Sequence, residues 1–224
     1  MTIICVSNRP EFLEHAISSF SRQTHTNKKF LFVTNADSFD RELTERMVAA
    51  IGGSCLHVHE SAYLGDCLNE ALGHVDTPYW AKFDDDDFYG EHHISDLMLT
   101  FEYTGAALAG RQSYYVRLSS SGRSWLRFPG REFQFVDRVT GGSFVADSAK
   151  VRGLKFASVR QGTDTRFMER VIDSGERIFS ASRFNYVMER RADPDSHTWR
   201  ITERDITDGA EPVDVADILT HAEL

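Results

Sequence analysis

The chain has 224 residues, 41% apolar and 26% charged, and 25 Lys and Arg against 34 Asp and Glu give a formal charge of −9. That length suits one domain with a single sizeable core. The acidic balance argues against a general nucleic-acid-binding role, and no apolar run approaches the roughly 18–20 residues that span a bilayer.

The first half alternates. Thr2 to Ser7 reads as a buried strand, followed by Pro10 where a first helical turn tolerates it and by Phe12, Leu13, Ala16, Ile17 and Phe20 at helical spacing. Phe30 to Thr34 is a second strand. A helix from about Ser38 to Ile51 stops at Gly52-Gly53. Leu56 to His59 reads as a third strand, Leu64 to Leu72 as a helix ending at Gly73, and Tyr79 to Phe83 as a fourth strand. Strands separated by helices predict a parallel, doubly wound sheet with right-handed crossovers, whose ligands bind at the carboxyl ends of the strands. Ser7-Asn8-Arg9 and Asp84 to Asp87 both fall at such ends.

The second half changes character. After a helix from about His92 to Tyr103, Ala106 to Leu118 and Arg123 to Val136 read as β segments joined by a hairpin loop at Ser119 to Gly122. Gly141-Gly142 precedes a short strand from Ser143 to Ala146, and a helix from about Asp164 to Asp173 ends at Gly175. Strands near Ile178 to Ser180 and Asn185 to Met188 lead into an irregular charged segment ending at Arg200. The expected architecture is α/β, a Rossmann-like nucleotide-binding half merged with a mixed-sheet half.

The chemistry concentrates in Asp84-Asp85-Asp86-Asp87. Two carboxylates about 6 Å apart repel by roughly 3 kcal/mol at an effective dielectric near 20. In a cleft, such a run needs a cation or protons to absorb the charge. A divalent cation shared with substrate phosphates does this; a solvated acidic turn is the alternative.

The order strand–Ser7-Asn8-Arg9-Pro10–helix, then Gly65 and Asn69, Phe83 with the four aspartates, Gly141-Gly142 and Gly162-Thr163-Asp164 resembles the family 2 glycosyltransferases of GT-A fold, over roughly Thr2 to Arg200. The resemblance implies one catalytic domain over residues 1–200, with a nucleotide-sugar-binding half (1–90) and an acceptor half (91–200), then an acidic tail (201–224). It implies an inverting enzyme that moves a sugar from a nucleotide-diphosphate donor, UDP-linked, to an acceptor hydroxyl, with a divalent metal (Mn²⁺ or Mg²⁺) assisting the leaving group. Asp84 and Asp86 match the family's Asp-x-Asp, and Asp87 its frequent extra metal-side carboxylate. Asp164 matches the general base, an N-cap aspartate being the other reading. Ser7, Asn8, Arg9, Asn35, Gly65, Asn69, Asp84, Asp85, Gly142 and Arg190 fall on the donor-binding side. His197 matches a third metal ligand or diphosphate contact, and a surface histidine is the alternative.

Two departures stand out. Thr163 occupies the place of the auxiliary Glu before the base, and Thr34-Asn35 the place of an Asp-Asp pair that contacts the nucleoside. A metal-dependent phosphotransferase or nucleotidyltransferase, or a non-catalytic nucleotide-sugar-binding relative, are the competing readings. The resemblance implies a glycan or lipid-linked acceptor, as in polysaccharide biosynthesis; the acidic charge predicts no nucleic-acid partner, and the expected protein is cytoplasmic, free or peripherally bound to a membrane. Cys5, Cys55 and Cys67, odd in number and without metal-ligand spacing, agree with reduced thiols. His92-His93 reads as helix surface, and Trp125, Phe128, Phe133 and Phe135 read as core, with an acceptor platform open to one or two of them. The helical periodicity within Gly209 to Leu224 leaves packing back, dimerising and fraying open.

Overall fold

The structure, a computed structural model, describes residues 1–191 and 202–223. Thr2–Ser7 (β1) is a continuous apolar run because neighbours cover it on both faces and both edges. Pro10 opens a single 3₁₀ turn that runs into Leu13–Ser21 (α1). Lys29–Thr34 (β2) follows, then Arg41–Ala50 (α2), whose cap is Asp40 accepting the Leu43 N–H at 3.0 Å. Ser54–His57 (β3), Leu64–Leu72 (α3) and Tyr79–Phe83 (β4) complete the parallel half. The remaining elements are Phe88–Tyr89 (β5), His93–Thr104 (α4), Leu108–Gly110 (β6), Tyr114–Leu118 (β7), Ser124–Arg127 (β8), Gln134–Val136 (β9), Val145–Asp147 (β10), Thr163–Asp173 (α5), Ile178–Ser180 (β11), Tyr186–Arg190 (β12), Glu203–Thr207 (α6), Glu211–Val213 (β13) and Ile218–Ala222 (α7).

Two sheets result. The larger runs β3-β2-β1-β4-β10-β6-β11-β9, with β3, β2, β1 and β4 parallel and β10 inserted antiparallel between β4 and β6. Alternation along its strands splits the core: Ile3, Cys5, Phe30 and Phe32 bury on one face, and Ile4, Leu31, Val33 and Trp80 on the other. The smaller sheet runs β13-β8-β7-β12-β5. β4 belongs to the first sheet and β5 to the second, so Asp84 to Asp87 form the four-residue link between them. Asp85 and Asp87 within it are buried, which the side chains of a solvated turn are not.

Two expected strands break in the same way. Ala106 to Leu118 divides at residues 111–113, sending β6 to the large sheet and β7 to the small one. Arg123 to Val136 divides likewise into β8 and β9. An apolar run shows strand character, but only the packing of two sheets demands a corner inside it. The hairpin between β7 and β8 forms as expected, with Gly122 at φ 68°.

The C-terminal segment packs back. Ile206 buries with Val116 and Leu118, β13 pairs antiparallel with β8, and Ile218 and Ala222 bury with Tyr115, Leu126 and Val187. Among the described residues no helix is long and apolar enough to cross a membrane.

Candidate active site

The four linked aspartates have four different surroundings. Asp84 remains the most open, its side chain 38% exposed, and accepts from Lys82 Nζ at 2.6 Å. Its backbone N–H donates to the Tyr89 hydroxyl at 2.7 Å, which in turn donates to the Gly142 carbonyl at 2.7 Å. Asp85 is buried and clamped by the Ser7 hydroxyl and the Arg9 fork. Asp86 pairs with both Arg9 and Arg191, whose guanidiniums lie over the same Phe12 ring at 4.4 and 5.2 Å. Burial works against its charged form, yet the two guanidiniums prevail and hold its pKa below the ordinary carboxylate value. Asp87 is buried, accepting from the Tyr186 hydroxyl at 2.5 Å and the Glu189 N–H at 3.0 Å. Burial, then repulsion by Asp86 and Asp84, pushes its pKa well up.

Asp164 lies across the loop from this link. Its helix is capped by Gly162 at φ 77°, so Asp164 sits inside the first turn of α5 and is not the N-cap residue. Lys82, its side chain only 3% exposed, places Nζ 3.5 Å from Asp164 Oδ2 while holding Asp84 and donating to the Gly141 carbonyl at 3.2 Å. Burial alone favours neutral Lys82, but Asp164 and Asp84 outweigh it and raise its pKa above the ordinary lysine value. Asp164 itself is 24% exposed in its side chain, and its Oδ1 has no hydrogen-bond partner. Burial raises its pKa, with Lys82 opposing.

The two glycines are spacers. A Cβ at position 141 would overlap the Asp164 carboxyl, and one at 142 would lie 2.7 Å from Asp84 Oδ2 and 2.8 Å from Asp87 Oδ2. The backbone at 141–142 thus threads between the acidic link and Asp164, which only residues without side chains permit.

Several expected donor contacts have other duties. Ser7 and Asp85 support one another under Arg9, and Asn8 is exposed beside them. The Asn35 amide donates to the His59 carbonyl at 2.8 Å, tying β2 to the loop after β3. Asn69 makes a two-way amide bridge to Phe156, at 3.0 and 2.9 Å, and Gly65 lets the Ala157 carbonyl press onto α3. Their groups are spent on the segment that leads into α5 and Asp164. Arg190 is the buried last residue of β12, not part of an irregular segment; it is Arg191 that pairs with Asp86. His93 is buried rather than on the helix surface, its Nδ1 3.1 Å from the Asn185 carbonyl. Phe128, Phe133 and Phe135 are exposed instead of core. His197 lies outside the described residues.

Sequence reading missed Lys82, Tyr89 and Tyr186. Only Lys82 left a signal, a charge at an inward position of an otherwise apolar strand.

Among the described residues no three His, Cys, Asp or Glu side chains converge to hold a metal ion. Asp84, the open member, fits the smaller donor set that Mg²⁺ or Mn²⁺ uses when phosphates and waters supply the rest, and Asp86 joins it by giving up part of its pairing with Arg9 and Arg191. Asp87 does not fit, because both its oxygens are committed inside the protein.

The model of the family described as Glycosyl transferase family 2 matches residues 2–163. No curated protein matches the chain by sequence. Among solved structures, S. aureus TarS 1–349 in complex with UDP-GlcNAc aligns with a TM-score of 0.67 and 13% identity, over 92% of this chain and 63% of that one. The complex of TarS 1–349 with UDP gives 0.64 and 13%, over 84% and 60%. The mannosyltransferase PcManGT from Pyrobaculum calidifontis, in complex with GDP-Man and Mn²⁺, gives 0.61 and 12%, over 83% and 55%. The chain therefore spans less than two thirds of these relatives, and such identities speak for the fold alone. With the GT-A architecture in place and the family match running from β1 through Thr163, the chain belongs to glycosyl transferase family 2.

Proposed function

We propose that the protein transfers a hexosyl group from a UDP-sugar to an acceptor hydroxyl with inversion. The observation that carries this is Asp164: a half-buried carboxylate with one unpartnered oxygen, held beside the acidic link through Lys82. A buried, unsatisfied carboxylate oxygen is costly in a purely structural position and suits a group that accepts a proton from substrate. In the proposed reaction Asp164 takes the acceptor's hydroxyl proton, the freed oxygen bonds to the anomeric carbon, and the bond from that carbon to the diphosphate breaks.

A divalent metal at Asp84 and Asp86 would supply Lewis-acid stabilisation of the departing diphosphate. Arg9 and Arg191 stand at Asp86 and offer planar forks suited to phosphate oxygens. UDP as the nucleotide is supported by the family resemblance and by the ligands of the TarS complexes. Free cysteines and a nucleotide-sugar donor support a cytoplasmic setting, and a glycan or lipid-linked acceptor follows from the same reading.

Thermal unfolding with UDP, GDP or dTDP, each with Mn²⁺ or EDTA, tests the donor site. Ligand at 100 times its Kd stabilises by about 2.7 kcal/mol. The expected result is a Mn²⁺-dependent shift with UDP that Asp86→Ala abolishes; equal shifts with all three nucleotides, or none, reject the UDP site. For the base, Asp164→Asn is expected to keep UDP binding and lose about 10²- to 10⁴-fold in turnover.

A further inference from the structure

The segment between β8 and β9 carries two phenylalanines in the left-handed region, Phe128 at φ 48° and Phe133 at φ 53°. Non-glycine residues seldom adopt this conformation, and Phe128 also precedes Pro129, a position that ordinarily forces extended backbone. The strain is held by surrounding bonds. The Ser113 hydroxyl donates to the Phe128 carbonyl and accepts the Arg131 N–H, Gln134 donates to the Gly130 carbonyl, and Arg183 forks onto Glu132. What this support maintains is exposure: the two residues are 47% and 65% accessible, with the Arg127 guanidinium 4.8 Å from the Phe128 ring centre. Strain over-determined by its surroundings is typical of ligand-contacting segments.

The same segment adjoins the proposed base. Tyr114 packs against the Phe128 ring at 6.3 Å, and its hydroxyl accepts from Arg127 at 3.1 Å and lies beside Thr140. Thr140 donates its N–H to the Arg111 carbonyl, two residues from Ser113, and the next residue is Gly141, against which Asp164 packs. Phe128 and Asp164 therefore flank one loop.

Charge sets the surface apart. Residues 111–170 hold twelve Lys and Arg against five Asp and Glu, while the rest of the chain holds thirteen against twenty-nine. Exposed Arg131, Arg138, Arg160 and Arg166 lie on the segments beside Phe128, Thr140 and Asp164 and make no ion pair with a described residue. Glu132, the nearest acid to Phe128 in sequence, is neutralised by Arg183.

Resting on the glycosyltransferase reading, we infer that Phe128 and the surrounding arginines form the acceptor subsite, and that the acceptor is an acidic saccharide. The negative face of an aromatic ring attracts the C–H groups of a pyranose, and a local basic field in an acidic protein selects for anionic partners.

The test titrates the wild-type protein, Phe128→Ala and the double variant Arg131→Gln/Arg138→Gln with three probes by calorimetry at low and high salt. The probes are hexagalacturonate, a mannose oligosaccharide phosphate and neutral maltohexaose. At least one acidic probe is expected to bind about tenfold or more tightly than maltohexaose, with affinity falling as salt rises. Phe128→Ala and the double variant are each expected to weaken it about tenfold, while Leu99→Ser, at a distant exposed apolar position, leaves it unchanged. Which acidic probe binds separates carboxylate from phosphate recognition. Maltohexaose binding as tightly as both acidic probes, or unchanged affinity in Phe128→Ala, overturns the inference. UDP titrated into the same samples separates the two readings: lost saccharide binding with intact UDP binding rejects the acceptor subsite alone, and the reverse pattern rejects the donor site alone.

Discussion

The Lys82 ammonium lies 3.5 Å from the Asp164 carboxylate, buried at the end of a strand whose other side chains are apolar. It joins the acidic link to the proposed base. Replacing it by Met leaves two partly exposed carboxylates without their shared cation. Asp164 needs its ionised form to accept a proton, and Lys82 is what opposes the upward push of burial on its pKa. The acid limb of kcat/KM against pH should therefore move to higher pH in Lys82→Met. An unmoved limb would separate Lys82 from the base.

Asp86 and Asp87 are neighbours with opposite expected phenotypes. Asp86→Ala should abolish Mn²⁺-dependent nucleotide binding with little loss of stability. Asp87→Asn should keep that dependence but destabilise the fold by about 1–3 kcal/mol, because the Glu189 N–H and the Tyr186 hydroxyl both need an acceptor there. Urea unfolding and a Mn²⁺ titration on the two proteins decide it, and equal loss of Mn²⁺ dependence in both rejects the distinction.

Gly141→Ala places a methyl group against the Asp164 carboxyl. A catalytic group displaced by about 1 Å can lose about 10²-fold in rate. Turnover should fall by that order while UDP affinity stays at the wild-type level; full activity would mean that the 141–142 backbone does not set the position of Asp164.

His93 is buried among Phe83, Tyr89 and Tyr186, and burial, aided by the Arg111 charge, holds its pKa well below 6.5. Below about pH 6.5 the unfolded chain binds a proton that the folded state refuses. This contribution is complete above that value and is lost as pH falls, by up to about 1.4 kcal/mol per pH unit. Urea midpoints at pH 7.5, 6.5 and 5.5 should fall less steeply in His93→Gln than in the wild type. Parallel slopes would assign the acid sensitivity to the carboxylates instead.

The four parallel strands, the hairpin at Gly122 and the helix start just before Asp164 were legible in the sequence, because hydrophobic periodicity and glycine act locally. So was the acidic run at a strand end. Its division of labour was not: four identical side chains became an open carboxylate, a clamped strut, an arginine-paired ligand candidate and a buried acceptor. Those differences come from Arg9, Arg191, Tyr186 and the Glu189 backbone, far along the chain from them. Gly65 and Asn69 looked like donor contacts because spacing carries no information about Phe156 and Ala157, which occupy them. Lys82 likewise had no readable role until Asp164 arrived beside it. Local propensity determined which segments are strands and helices; only the packing of two sheets around one short link decided which charge each residue meets, because electrostatic environment depends on distance in space and not along the chain.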